Sequence, residues 1–286
     1  MPPPSDTSVI AELPNTLSAR ASASGSRARN AIARRAAWRA WVLPVALLAV
    51  WFIVVPDSLA PHGIAVSPAQ VWRTGVEQVR SGALARALSA SLAREFTGFA
   101  IGAALGLLLG VSIGISKWTD RVISPSFNAF KQVSLFAWIP LISVWFGLGD
   151  AAKVVFLSLA ALVPVAVHTA DGIRAIPVEQ REVARVFRYR PWQTMVYVVL
   201  PSASSSIFTG IYLALIYSWL ATLGAEYLLV AGSGIGNLLV DGSEHFRMDM
   251  VLFGVLVVGV IGALLNAIAR FIQRRFAWQH PTSSQP

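Results

Sequence analysis

Cysteine is absent from this 286-residue chain, and lysine is scarce, with three against twenty arginines. Without thiols there are no disulfides, no thiolate nucleophile and no cysteine-based metal site. The four histidines (His62, His168, His245 and His280) stand singly and no H-E-x-x-H occurs, so neither a metal centre nor a clustered acid–base site is legible. None of the lysines follows a glycine, so the chain lacks the G-x-x-x-x-G-K-[ST] loop that cradles nucleotide phosphates. Charge itself is scarce. Only 13% of residues are Asp, Glu, Lys or Arg, against about 25% in a soluble domain.

Apolar residues dominate, at 55% with a mean hydropathy of +0.62. This composition points to a polytopic all-α membrane protein. Apolar runs predict about six transmembrane helices, near 36–55, 96–116, 133–149, 154–170, 204–225 and 250–269. Each reaches, with its flanks, the roughly 20 residues that cross a bilayer core. Residues 1–35 are rich in Pro, Ser, Ala and Arg without apolar period and read as a disordered basic tail. The domain proper is 36–275, and 276–286 form a second tail. Ser58-Leu59-Ala60 resembles a signal cleavage site, but the charged region before it is longer than a secretory signal carries. Between spans, Ser67-Pro68 predicts a helix start and Ser81-Gly82 its interruption.

A net charge of +9 raises the possibility of nucleic acid. The basic residues instead flank the spans. With the N-terminus inside, 16 of the 23 fall in the inner segments 1–40, 117–121, 171–200 and 270–286. The positive-inside rule then predicts both termini and the 171–201 loop on the cytoplasmic side.

That loop carries five arginines, Arg174, Arg181, Arg185, Arg188 and Arg190. It resolves into two amphipathic stretches. Val183, Val186 and Phe187 share one helix face, and Trp192, Met195, Val196 and Val199 share another. Pro191 separates them, because proline disfavours helical geometry in the residue before it. A DNA-binding helix-turn-helix looks similar in sequence, but tethering between two spans argues against it.

Span 2 carries Gly98, Gly102, Gly106, Gly110 and Gly114, one every four residues. Such a stripe lets a neighbouring helix approach closely. The two readings are ordinary tight packing and a seam along which helices slide. Polar or aromatic residues in or near spans are translocation-path candidates: Lys131, Ser134, Trp138, Ser143, His168, Trp219 and Glu226. Lys131 and Glu226 also fit simple solvation at helix ends. Gly232-Ser233-Gly234-Ile235-Gly236 lacks dinucleotide-fingerprint spacing and reads as an outer loop before span 6.

The run Glu182-Val183-Ala184, three residues, Arg188, nine residues, Val198-Val199-Leu200-Pro201 resembles the EAA loop of permease subunits of binding-protein-dependent ABC importers. Glu182, Ala184, Leu200 and Pro201 match. Val183 and Val198 are conservative changes, and Arg188 stands where the family has glycine, with Pro191 as an alternative break. The stretches 91–114, 138–154 and 232–239 are similar to the sulfonate, taurine and nitrate group of these permeases, and the likeness spans roughly 65–275. The resemblance implies the importer-permease fold, a permease homodimer in the bacterial inner membrane, two cytoplasmic ATP-binding subunits and a periplasmic substrate-binding protein. It implies that the loop forms coupling helices seated in an ATPase groove, with Glu182, Val183, Ala184, Arg188, Leu200 and Pro201 as the coupling set. No cofactor is expected in this chain, since ATP would be bound by the partner. An ATP-independent secondary transporter is the alternative, although no internal repeat supports it. An intramembrane enzyme ranks last.

Overall fold

The computed structural model describes residues 42, 46, 49–52 and 66–276, with side chains as far as Gln273. The two predicted tails lie outside the described residues. So does most of the first predicted span, whose six described residues are helical. The chain divides into two units, 1–68 and 69–286, and the description below concerns the second.

Pro68 opens α1 (Pro68–Arg80) as the sequence predicts, and Val71, Thr74, Gly75 and Gln78 form its buried face. The interruption at Ser81-Gly82 is real. Gly82 takes φ 69°, in the left-handed region that a residue without Cβ adopts freely. Next, α2 (Ala83–Ile115) runs for 33 residues, about 50 Å of helix. It begins well ahead of the predicted Phe96, because Ser91, Arg94 and Glu95 lower the apparent hydropathy while being buried inside the bundle.

Three helices form the core: α2, α5 (Asp150–Arg174) and α8 (Leu200–Leu228). The glycine stripe of α2 lies on α5. A Cβ on Gly106 would fall 2.6 Å from the Leu162 carbonyl oxygen, and one on Gly110 would fall 2.6 Å from that of Ala166. Backbone therefore meets backbone, which is the tight-packing reading of the stripe. A second close seam joins α5 to α8, where a Cβ on Gly210 would lie 2.8 Å from His168 Cβ. Half of the apolar stretch of α5 is buried, against 11% of that of α10 (Met248–Phe276). α10 thus offers Val255, Val260, Leu264 and Phe271 outward, as a lipid-facing helix does.

The predicted third span is not one rod. α3 (Lys117–Gln132) stops at the extended residues Val133 and Ser134. A 3₁₀ turn (Leu135–Trp138) and the short α4 (Ile139–Phe146) follow at a bend of 95°. Phe136 pins this bend by packing onto Gly224 of α8 and lying 5.7 Å from the Phe156 ring of α5. Among the described residues, four helices are long and apolar enough to cross a membrane, or five if the bent pair counts as one span.

After α5 come α6 (Val178–Val186) and α7 (Pro191–Thr194). Pro201 does not separate α7 from the next span. The π turn Met195–Val199 carries the chain straight into α8, giving a continuous 38-residue helical stretch from Pro191 to Leu228. Proline brings no N–H, and the wider turn takes up the missing bond. The glycine-rich run 232–236 is only half loop, since α9 (Ile235–Glu244) starts within it.

Candidate functional site

The elbow between α5 and α8 is built around a left-handed arginine. Arg188 takes φ 51° and follows the last turn of α6. Tyr189 N–H donates to the Ala184 carbonyl at 3.0 Å, and Arg188 N–H donates to that of Arg185 at 3.0 Å. These two bonds close the helix end in the arrangement that normally selects glycine. The bend thus has the geometry a glycine would give, although an arginine occupies it. Arg190, extended at ψ 156°, shows the expected constraint from Pro191.

The elbow is tied to the bundle. Arg181 Nη2 donates to the Ile173 carbonyl at 2.6 Å, and Ser202 Oγ donates to Gln180 Oε1 at 2.8 Å. Arg174 pairs with Asp120 of α3. Ala184 is 3% exposed and faces inward, which corrects its expected place on the docking surface. A small residue is needed there because α6 lies close to its own bundle. Glu182, Val183 and Arg188 are exposed, and neither Glu182 nor Arg188 forms an ion pair among the described residues. Leu200 packs with Ile173, Ile176, Ala203 and Ile207, and the neighbouring Pro201 opens α8. These two residues belong to the base of the elbow. Its outer face is aromatic: Phe187, Tyr189, Tyr197 and Trp192 follow one another with ring centroids 5.8, 6.1 and 6.3 Å apart.

Within the bundle, a cavity of about 630 Å³ lies between the α3–3₁₀ break, α5 and α8. Four of the path candidates line it: Lys131, Ser134, Trp138 and His168. The other three lie elsewhere. Ser143 is half-buried on α4 and donates to the Pro140 carbonyl. Trp219 is buried, and a Cβ on Gly262 of α10 would fall 2.8 Å from its Nε1.

Glu226 departs most from expectation. It is 1% exposed rather than solvated at a helix end. Arg94 Nη2 donates to its Oε1 at 2.5 Å, Ser91 Oγ to the same oxygen at 2.6 Å, and Gly236 N–H to Oε2 at 2.8 Å. The carboxylate thus caps the N-terminus of α9, where the helix dipole favours negative charge. Arg94 also reaches Asp150 at 2.7 Å and the Ser233 carbonyl at 2.5 Å. Lys153, fully buried, donates to the Ala231 carbonyl at 2.7 Å. Nearby Glu95 accepts from Ser218 and Thr222. Sequence reading left Arg94, Glu95, Asp150 and Lys153 out of the candidates. The available signal was that a charge inside an apolar run calls for a partner.

Residues 102–278 match the family described as the binding-protein-dependent transport system inner membrane component. The chain belongs to this family. It is a multi-pass permease component of a binding-protein-dependent ABC importer. Two similar relatives are putative aliphatic sulfonates transport permease proteins. The one from Bacillus subtilis (strain 168) is 31% identical, over 85% of this chain and 88% of its own. The one from Escherichia coli (strain K12) is 34% identical, over 84% and 91%. The taurine transport system permease protein of E. coli is 28% identical over 82% of the permease. Among solved structures, an amino acid ABC transporter matches with a TM-score of 0.58 and 19% identity, covering 70% of the permease and 98% of that chain. An inward-facing methionine ABC transporter matches with a TM-score of 0.55 and 21% identity, covering 73% and 99%. These two likenesses concern the fold.

Proposed function

We propose that the permease imports a small anion across the bacterial cytoplasmic membrane as half of a homodimer, served by two ATP-binding subunits and a soluble solute-binding protein. The observation that carries the reading is the elbow: a rigidly tied two-helix projection with an exposed apolar and aromatic face. Val186, Phe187 and Trp192 are 79%, 66% and 58% exposed, and aromatic side chains of this kind are favoured at protein interfaces. The excess of basic residues in the sequence segments 1–40, 117–121, 171–200 and 270–286 supports placing the elbow and both termini in the cytoplasm. There the elbow meets the ATPase through Glu182, Val183, Arg188 and the aromatic row. The chain has no phosphate-binding loop of its own, so hydrolysis belongs to the partner.

Arg181, Gln180 and Arg174 would pass a displacement of the elbow to α5, α8 and α3 through the bonds described above. The path runs through the cavity lined by Lys131, Ser134, Trp138 and His168. Relatives named for transport of sulfonates, taurine, bicarbonate and nitrate support a small anion as the solute.

Reconstituted vesicles test the reading. Glu182→Lys, Phe187→Asp and deletion of 182–190 should each abolish ATP-dependent uptake while the permease still inserts. The two point changes fall on exposed side chains and leave the core untouched. Normal ATP-driven uptake by the deletion would rule out the coupling role. Uptake by the permease alone would instead favour a secondary transporter.

A further inference from the structure

Three faces run along α1, and packing against the protein accounts for one of them. Val71, Thr74, Gly75 and Gln78 form the buried face. Arg73, Glu77 and Arg80, spaced i, i+4, i+7, form an exposed charged stripe. Trp72, Val76 and Val79 repeat that spacing and form an apolar flank between the other two faces. Trp72 is 74% exposed and Val79 62%. Apolar side chains scattered singly over a surface need no explanation. A tryptophan and two valines aligned beside a basic stripe match a helix that lies in a membrane interface.

Position supplies the medium. The helical stretch that leaves the elbow at Pro191 ends at Leu228. α10 returns antiparallel to it, since Tyr212 donates to Asn266 at 2.7 Å and, further from the elbow, Trp219 lies against Gly262. The start of α10 is therefore at the end of the bundle opposite the elbow. α1 is seated there. Thr74 Oγ1 donates to Asp249, Glu77 lies 4.0 Å from Arg247, and a Cβ on Gly75 would fall 2.7 Å from the Phe253 ring. Phe253 is about 8 Å along α10 from Met248. Val255 and Leu256 follow it on the lipid-facing surface. The apolar flank of α1 thus sits at the level where the lipid-facing surface of α10 begins.

We infer that α1 is an interfacial helix. It lies along the bilayer boundary at the end opposite the elbow, with Trp72, Val76 and Val79 among the upper acyl chains and Arg73 and Arg80 level with the lipid phosphates. Tryptophan is favoured at that depth, and arginine can keep its stem in apolar surroundings while its head meets the phosphates. The lipid seat stands without the importer reading, and only the name of the leaflet, the outer one of the cytoplasmic membrane, rests on it. Held to Arg247, Asp249 and Phe253, α1 sets how deep α10 sits.

The cysteine-free chain allows a direct test, because an introduced thiol is the only one present. Trp72→Cys, Val76→Cys, Val79→Cys, Arg73→Cys and Glu77→Cys would be made one at a time in the full-length permease, with Val255→Cys as the lipid reference. Each would carry a nitroxide spin label, in vesicles of phosphatidylethanolamine and phosphatidylglycerol. Molecular oxygen enters lipid and a neutral nickel chelate stays in water, so their collision rates read the surroundings. The oxygen-to-nickel ratio at the Trp72, Val76 and Val79 positions should approach that of Val255→Cys. It should exceed that at the Arg73 and Glu77 positions several-fold. The Trp72 and Val79 labels should also share one depth, whereas an upright helix would separate them by about 10 Å. A nickel-dominated ratio on the flank would overturn the inference, because the flank would then face water. Low collision rates with both reagents would overturn it as well, since a second copy or a soluble partner would then cover the flank. Depths about 10 Å apart would replace the interfacial helix with an inserted one. Where Trp72→Cys gives no monodisperse peak in detergent, Val76→Cys and Val79→Cys read the same flank. None of these readouts involves uptake, so the seat stands or falls apart from the importer reading.

Discussion

Removing the Arg94 guanidinium should cost this fold more than any other single side-chain truncation described here. Glu226 is 1% exposed and Arg94 6%, so their pairing at 2.5 Å is shielded from water. Arg94→Leu leaves the Glu226 carboxylate with only the Ser91 hydroxyl and the Gly236 amide, and it frees the Ser233 carbonyl. Breaking a buried pair from one side costs about 3–5 kcal/mol, because the surviving charge stays buried. At about 2–4 °C per kcal/mol for a chain of this size, the midpoint should fall by roughly 6–20 °C. Glu226→Gln keeps the shape, and its one amide oxygen can still accept from Gly236 N–H or from Ser91 and Arg94 but not from both sides; Arg94 keeps Asp150, so it should cost less, about 1–3 kcal/mol. The double variant Arg94→Leu/Glu226→Leu removes both charges and should recover much of the loss, since apolar replacement of a whole buried pair is often neutral. Thermal unfolding of the purified permease, followed by tryptophan fluorescence, reads all of these variants. Wild-type stability in Arg94→Leu, or single effects that add within about 0.5 kcal/mol, would refute the reasoning.

Other expectations concern single backbone positions. Arg188→Gly removes a left-handed cost of about 1–2 kcal/mol, offset in part by the entropy glycine adds to the unfolded chain. Amide exchange at Tyr189 should therefore slow, whereas Arg188→Val, branched at Cβ, should speed it. Gly106→Val drives a side chain into the Leu162 carbonyl and should abolish folded yield, as judged by a monodisperse peak in detergent. Gly259→Ala, with nothing within 4 Å of the new methyl, should leave that peak unchanged.

The glycine stripe of α2 was legible in the sequence because a four-residue period needs no knowledge of the partner. The start of α1 at Pro68 and the two-helix elbow were legible for the same local reason. What failed was tertiary. Glu226 reads as a solvated helix end when Arg94, 132 residues away in sequence, is not known to face it. The same blindness shortened α2 and α5 at the ends that carry Arg94, Glu95 and Lys153. Hydropathy counts these charges as polar surface, although the fold buries them. The 95° bend near Val133 was hidden because the residues that pin it, Phe156 and Gly224, belong to later helices. The π turn that leads into Pro201 was not legible, since such a turn leaves no mark in composition. The cavity brought together Lys131, Ser134, Trp138 and His168, which as a list of polar and aromatic residues had no shared location.

α5 meets carbonyl groups and glycines on two sides, with α2 against one flank and α8 against another. Contacts so short leave no slack for one of the three to travel alone. The trio must tilt as a single block, like a crank whose handle is the elbow. Any opening toward one side of the membrane then has to come from elsewhere: from the hinge at Val133–Ser134 or, in the proposed homodimer, from the line where two such blocks would face each other.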